Sequence, residues 1–261
     1  MIRALHTAAT GLDAQQLEID NITNNLANVN TTGFKRARAE FQDLLYENLT
    51  APGTQDAAGT ETPTGTQIGH GVRTVAIRRF FGQGPVRNTG NPLDVTIDGD
   101  GFFQVTRPEG DIAYTRAGAF SLSSQGQLVT ADGIPIEPSI QIPPDASDVT
   151  ISADGTVSAM QPGQTTPTQL GQLTLARFAN PPGLQAIGGN LFLETAASGA
   201  PTTGNPSSDG LGKLEQGFLE GSNVNVAEEL VSMIVAQRAY EINSRTVRVA
   251  DEMMQLANNM R

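Results

Sequence analysis

Cysteine and tryptophan are both absent from the 261 residues of the chain. The lack of cysteine excludes disulfides, thiol nucleophiles and Cys-based zinc sites together, and it suits a chain that crosses an oxidising space without mispairing. Aromatic residues make up 5%, which speaks against a large aromatic core and against a platform for stacking bases. Positive charge is scarce as well: 16 Lys and Arg against 27 Asp and Glu leave a net charge of −11. That balance argues against nucleic acid and anionic membranes as partners, because both select Lys/Arg patches. The basic cluster of Lys35, Arg36 and Arg38 reads as a solvated loop. No stretch approaches the about 20 apolar residues that span a bilayer. The start, MIRALHTAATGLDAQQ, lacks the charged region, apolar run and cleavage site of a Sec-type signal peptide.

Catalytic side chains are equally thin. His6 and His70 are the two histidines, one in a helical tail and one in a Gly/Thr-rich stretch, so a Ser-His-Asp arrangement has little to be built from. No GxSxG elbow, HExxH helix or phosphate-binding loop is present. Asp94, Asp98 and Asp100 in PLDVTIDGDGFF are the nearest thing to a cation site, but their spacing does not match an EF-hand loop. Neither a cofactor nor a metal is expected, and the chain reads as a protein without catalysis.

What the sequence does have is 28 Gly and 15 Pro, a hydrophobic content of 38%, and two amphipathic ends. In the first end Leu5, Leu12, Ile19 and Leu26 recur every seven residues, with Met1, Ala8, Ile22 and Val29 on the companion row. In the last, Val235, Ala239, Ile242, Thr246, Val249, Met253, Leu256 and Met260 step alternately by four and three. Such spacing is the apolar seam of a coiled coil, and a seam needs something to bury it. The first helix is expected over Ile2 to Val29, stopped by Asn30, Thr31, Thr32 and Gly33, the glycine free to take positive φ. The second starts near Asn225, with Glu228 three residues on as a capping box. The segment holding Phe34, Phe41, Leu44, Leu45, Tyr46 and Leu49 fits helix or strand equally.

Between the ends the grammar is β. Residues 51–71 are rich in Gly, Thr, Pro and Ala and read as a linker. Strand-like runs follow to about Leu193, and Asp154-Gly155 between two alternating strands predicts a hairpin with a type I′ turn. Gly199–Gly212 reads as the exit linker. The expected fold class is α+β: long N- and C-terminal helices paired as a coiled-coil-like module, plus one central all-β domain. The expected division is 1–45 for the first helix and its following segment, 46–84 for an extended connector, 85–205 for the β domain, and 206–261 for linker and last helix.

Three stretches carry a resemblance. NNLANVNTTGFKR (Asn24, Asn25, Leu26, Asn28, Asn30, Gly33 and Phe34 among them) closely resembles the signature shared by axial proteins of the bacterial flagellum, the rod, hook and hook-associated proteins. NPLDVTIDGDGFFQV, with Asn91, Asp94, Gly99, Gly101 and Phe102, looks like the start of their first β domain. GSNVNVAEELVSMIVAQRAYEINSR, with Asn223, Gln237, Arg238 and Tyr240, is similar to their terminal helix signature. The resemblance spans essentially the whole chain. It implies a structural subunit of the distal rod, with a place in the proximal rod as the alternative. Copies would polymerise into a hollow rigid tube that carries motor torque to the hook and lets later export substrates pass. Leu5, Leu12, Ile19, Ile22, Leu26, Val29, Val235, Ile242, Val249, Met253 and Leu256 would be the self-association contacts. Gln15, Asn21, Asn258 and Asn259 would line the channel. Implied partners are further copies of the chain, proximal rod and hook proteins, the inner surface of the L and P rings, and the flagellar export apparatus, with neither nucleic acid nor membrane insertion. The implied location is the basal body, in the rod crossing the periplasm, after export without a cleaved signal. Leu44–Gly71 is similar to a segment that stiffens the polymer. From a different class, a secreted β-domain binding module on a coiled-coil stalk fits the same pattern, although few aromatics are available for stacking on sugars.

Overall fold

A computed structural model describes residues 2–51, 53, 64–146, 148–162 and 166–259. Met1 and Met260, the outermost positions of the two stripes, lie outside the described residues, as do 52 and 54–63 of the Gly/Thr-rich stretch. Helix α1 runs Ile2–Ala27, helix α2 runs Val226–Asn259, and the region between them is mostly strand. The α+β class is as expected. The chain forms two units: Met1–Leu26, Ala37–Arg78 and Asn225–Arg261 make one, and Ala27–Arg36 with Arg79–Val224 make the other.

In the first unit α1 stops two residues before the expected end. Asn28 closes a turn there, accepting from Thr31 N on its carbonyl (3.1 Å) and from Thr31 Oγ1 on its side-chain oxygen (3.1 Å). The ambiguous segment that follows is extended. β1 (Ala37–Asp43) pairs with β4 (Val72–Arg79), and β2 (Tyr46–Thr50) pairs antiparallel with β3 (Thr66–Gly69). In β1 Ala37 and Ala39 are buried and Arg38 is exposed, the period-two pattern of a ribbon with one covered face. α2 begins as expected: Asn225 Oδ1 accepts from Ala227 N at 3.1 Å, the N-cap bond. Glu228 takes part as well, its Oε1 accepting from the Asn225 side-chain amide (3.2 Å).

The second unit is built on a seven-stranded sheet. Along it run Gln185–Gly188, Leu191–Leu193, Ile112–Thr115, Phe102–Thr106, Leu175–Arg177 and Thr202–Gly204, with Ile136–Glu137 also pairing on Phe102–Thr106. Both faces of its centre are covered, so Phe102, Phe103 and Val105 are all buried and Gln104 between them is buried with its amide donating to Thr174 Oγ1 (3.1 Å). Phe103 and Val105 face a core that includes Val95, Ile97, Leu128, Leu173 and Leu175. Phe102 faces the other side with Tyr114, Phe178, Phe192 and Phe81. These rings meet edge to face at 4.7–6.2 Å between centroids. The few aromatics of the chain therefore do form a cluster, contrary to the expectation from composition, because sequence-distant strands bring them to one sheet face.

Two further expectations change. Gly199–Gly212 is not a plain linker: Thr202–Gly204 is an edge strand of the sheet, and Lys213–Gln216 pairs with Val95–Asp98. The hairpin at Asp154-Gly155 is present, joining Asp148–Ile151 to Thr156–Met160. Its turn is not type I′, since Gly155 alone takes positive φ (87°) and its N–H donates to Ser152 O (2.9 Å). A type I turn closed by a left-handed glycine serves the three-residue loop.

Candidate functional site

Among the described residues no group of three or more His, Asp or Glu side chains could hold a metal ion. Asp94 is occupied by Thr89 Oγ1 (2.6 Å) and Asn91 Nδ2 (3.0 Å), and Asp98 pairs with Lys213 (3.2 Å). These bonds, with Asn91 O accepting from Asp94 N, make the Asn91–Asp94 signature a self-capped turn. No helix among the described residues is long and apolar enough to cross a membrane.

The signature that follows α1 leads instead to a buried charge cluster within the second unit. Lys35, read from sequence as part of a solvated loop, is 0% exposed. Its Nζ donates to Glu220 Oε1 at 2.6 Å and to Gly82 O at 2.8 Å. Arg116 approaches the same carboxylate from the other side, Nε to Oε2 at 3.0 Å, and its NH1 donates to the carbonyls of Gly99 (2.9 Å) and Gly101 (2.7 Å). Gly84 N adds a bond to Glu220 Oε1 at 2.9 Å. One buried carboxylate thus serves two buried cations and an amide. Burial lowers the Lys35 pKa from its usual value, Glu220 opposes that shift, and the Arg116 charge adds to it.

Asn223 completes the arrangement. Its Oδ1 accepts from Arg36 N at 2.7 Å, while Nδ2 donates to Phe80 O (2.8 Å) and Gly82 O (3.0 Å). Phe80 N in turn donates to Arg36 O (2.9 Å), and Gly33 N to Glu220 O (2.9 Å). Residues 33–36, 80–84 and 220–223 are zipped together by one asparagine and one glutamate. Gly33 holds φ +70°, and a Cβ there would lie 2.6 Å from Ala117 N. Phe34 is buried beside it, and Asn30 is exposed. The roles of Gly33, Phe34 and Asn223 are tertiary. Lys35, Glu220 and Arg116 were missed by the sequence reading; the hint was a lysine set between Phe34 and the alternating Ala37 and Ala39.

Two contacts give the relative direction of the helices in the first unit. Asn243 Nδ2 lies 2.9 Å from where a Cβ of Gly11 would be, and Asn25 Nδ2 donates to Glu229 Oε2 at 3.3 Å. The contacts advance on α1 as they retreat on α2, so the two helices run antiparallel. Asn25 also brackets β1, donating to Ala37 O (2.7 Å) and accepting from Ala37 N (3.0 Å). Asn21 donates to the same carbonyl at 2.9 Å and is buried, so it does not face an open channel; that expectation is corrected.

The buried residues of α2 are Glu229, Ala236 and Ala250. The stripe expected as its seam points elsewhere: Val235 is 63% exposed and Ile242 66%, with Val249, Met253 and Leu256 also exposed. Small and polar residues meet at these two contacts, and the aliphatic stripe of α2 is exposed. On α1, Leu5, Leu12, Ile19, Leu26 and Val29 are half-buried and Ile22 is buried. Asn24, Gln237, Arg238 and Tyr240 of the signatures stand on exposed helix surface.

Three family descriptions match the chain: Flagella basal body rod protein over residues 5–35, Flagellar hook protein FlgE/F/G D1 domain over 96–159, and Flagellar basal body rod FlgEFG protein C-terminal over 215–260. Flagellar basal-body rod protein FlgG of Borreliella burgdorferi is 49% identical, covering 100% of this chain and 99% of its own length. The protein of the same name in Caulobacter vibrioides is 49% identical over 100% of both chains. That of Bacillus subtilis is 39% identical, again over 100% of both.

Proposed function

The chain belongs to the flagellar basal-body rod protein family, and on that premise we propose that it forms the distal part of the rod. It is a non-enzymatic structural subunit of the flagellar basal body that assembles with other rod and hook components. In the proposed arrangement, copies polymerise through α1 and α2 into a hollow, rigid tube. The tube transmits motor torque to the hook across the periplasm, turns inside the L and P rings, and leaves a bore for later substrates of the export apparatus, which also delivers the chain itself. The helices pair as a coiled-coil-like module, and the stretch 44–71 stiffens the polymer. Neither nucleic acid nor membrane insertion has a part in this.

The observation that carries the reading is identity near 50% to rod proteins over the full length of both chains. The exposed aliphatic stripe of α2 supports it, because about 1.5–3 kcal/mol per side chain is gained only when such residues are buried. A labelled version of the chain, located along purified hook–basal bodies by electron microscopy, tests the proposal. Label just below the hook is expected. Label confined to the base of the rod would move the chain to the proximal rod, and absence from the basal body would overturn the reading.

A further inference from the structure

The buried charge cluster of the second unit is not balanced from within. Lys35 and Arg116 carry two positive charges against the one negative charge of Glu220, and the three side chains are 0%, 4% and 1% exposed. An unmatched charge taken out of water is costly unless a partner reaches it. Arg116 is where a partner has access. Its Nε and NH1 are spent on Glu220, Gly99 O and Gly101 O. Its NH2 makes no hydrogen bond among the described residues, and it is not one of the unpartnered side-chain atoms sealed from solvent.

Arg116 also lines a cavity of about 310 Å³ within the same unit. That volume lies at the lower end of the about 300–1,000 Å³ of small-molecule sites. Phe81, Phe102 and Phe178 give the cavity its apolar lining. The Phe102 ring stands edge to face with Phe81 (5.5 Å) and Phe178 (5.8 Å). Arg177 and Asp100, both exposed, complete the charged lining. Arg177 is lightly held, its NH1 donating a long bond to Asp209 O (3.5 Å). Two guanidiniums thus stand against one carboxylate, beside rings whose edges are themselves positive. The surplus of positive charge selects an anion, and the rings select an apolar body attached to it.

We propose that this cavity is a binding site for a small organic carboxylate with an aromatic or aliphatic body. The carboxylate meets Arg116 NH2 and the Arg177 guanidinium, and the body lies against Phe81, Phe102 and Phe178. Bound there, the ligand supplies the negative charge that the cluster lacks. Occupancy therefore stabilises the segments that Glu220 and Asn223 zip together. Asp100 repels the anion and limits its affinity. The inference goes beyond the rod reading and stands whether or not that reading does.

Phenylacetate is the probe, with phenylacetamide as its neutral counterpart and inorganic phosphate as an anion without an apolar body. Each is titrated into the isotopically labelled full chain, and amide shifts are read by nuclear magnetic resonance at Gly101, Phe102 and Phe178. Saturating shifts with phenylacetate, and with neither control, are the expected result. Arg177→Gln should weaken binding about tenfold, the loss of one charge-assisted hydrogen bond. Asp100→Asn should tighten it about two- to fivefold. Both positions are exposed, so neither change removes a core group. Lys35→Met leaves the lining intact but balances the cluster, and should weaken binding several-fold. Equal shifts with phosphate would mean an adventitious ion only, and equal shifts with phenylacetamide an apolar pocket without a counter-ion; either overturns the inference. So does a lack of saturation by about 10 mM phenylacetate. Unchanged affinity in either Arg177→Gln or Lys35→Met, with the variant folded by circular dichroism, overturns it as well.

Discussion

Lys35 Nζ and Glu220 Oε1 stand 2.6 Å apart although the residues are 185 positions apart in the chain, and both side chains are buried. Arg116 shares the carboxylate from its other oxygen at 3.0 Å. The cluster holds one more positive charge than negative, so its members do not contribute equally.

Removing the anion should cost more than removing one cation. Glu220→Ala strands two buried cations and leaves Gly84 N without its acceptor, a loss of about 3–5 kcal/mol. Lys35→Met leaves Glu220 with Arg116 and Gly84 N, and Gly82 O keeps its bond from Asn223, so about 1–3 kcal/mol is expected. Urea titrations of the two variants followed by near-ultraviolet circular dichroism should rank them in that order. Equal losses would mean that Arg116 does not hold the carboxylate alone.

The lowered Lys35 pKa gives a pH dependence of definite sign. In the unfolded chain Lys35 keeps its usual value of 10.5, while burial lowers it in the folded protein. Between those two values the unfolded state binds more protons, so this residue adds stability as pH rises toward 10.5. The stability gap between the wild-type chain and Lys35→Met should therefore widen with pH over the alkaline range. Thermal melts at several alkaline pH values check this, and a gap that narrows would contradict the assignment.

Gly33 should resist substitution where Gly110 does not. Both have positive φ, +70° and +93°, but a Cβ at Gly33 would meet the backbone of Arg116 and Ala117 while one at Gly110 meets nothing within 4 Å. Gly110→Ala is expected to cost the left-handed conformation alone, about 1–2 kcal/mol. Gly33→Ala adds a backbone clash and should lower the melting temperature further.

Asn223→Asp is a third probe of the zipped segments. It replaces two donated bonds, to Phe80 O and Gly82 O, with a carboxylate oxygen facing two carbonyls. Loss of about 1–3 kcal/mol per unsatisfied group follows. Hydrogen exchange should accelerate at Arg36 and Phe80, whose N–H groups donate to Asn223 and to Arg36 O. Unchanged protection there would show that the backbone pairing stands without the side chain.

Much of the outline is legible without coordinates, for local reasons. Helix and strand periods, the Asn225 cap, the glycine that ends the α1 turn and the hairpin at residue 155 are all set by neighbours close in sequence. The same locality misled the reading at residue 155, where both turn types use an Asp-Gly pair, and at Lys35, whose nearest charges in sequence are Arg36 and Arg38.

The sequence by itself determined that two amphipathic helices would flank a region of strands and which residues form their apolar stripes. Its signatures also pointed to the flagellar axial family. Only the tertiary structure decided which helix faces touch. Gly11 and Asn25 meet Asn243 and Glu229, small and polar partners whose residue types announce no contact, and the aliphatic stripe on α2 stays exposed. It also decided that Lys35, Arg116 and Glu220 share one buried site. A charge is buried only when its partners arrive from elsewhere in the chain, and no local pattern records where they come from.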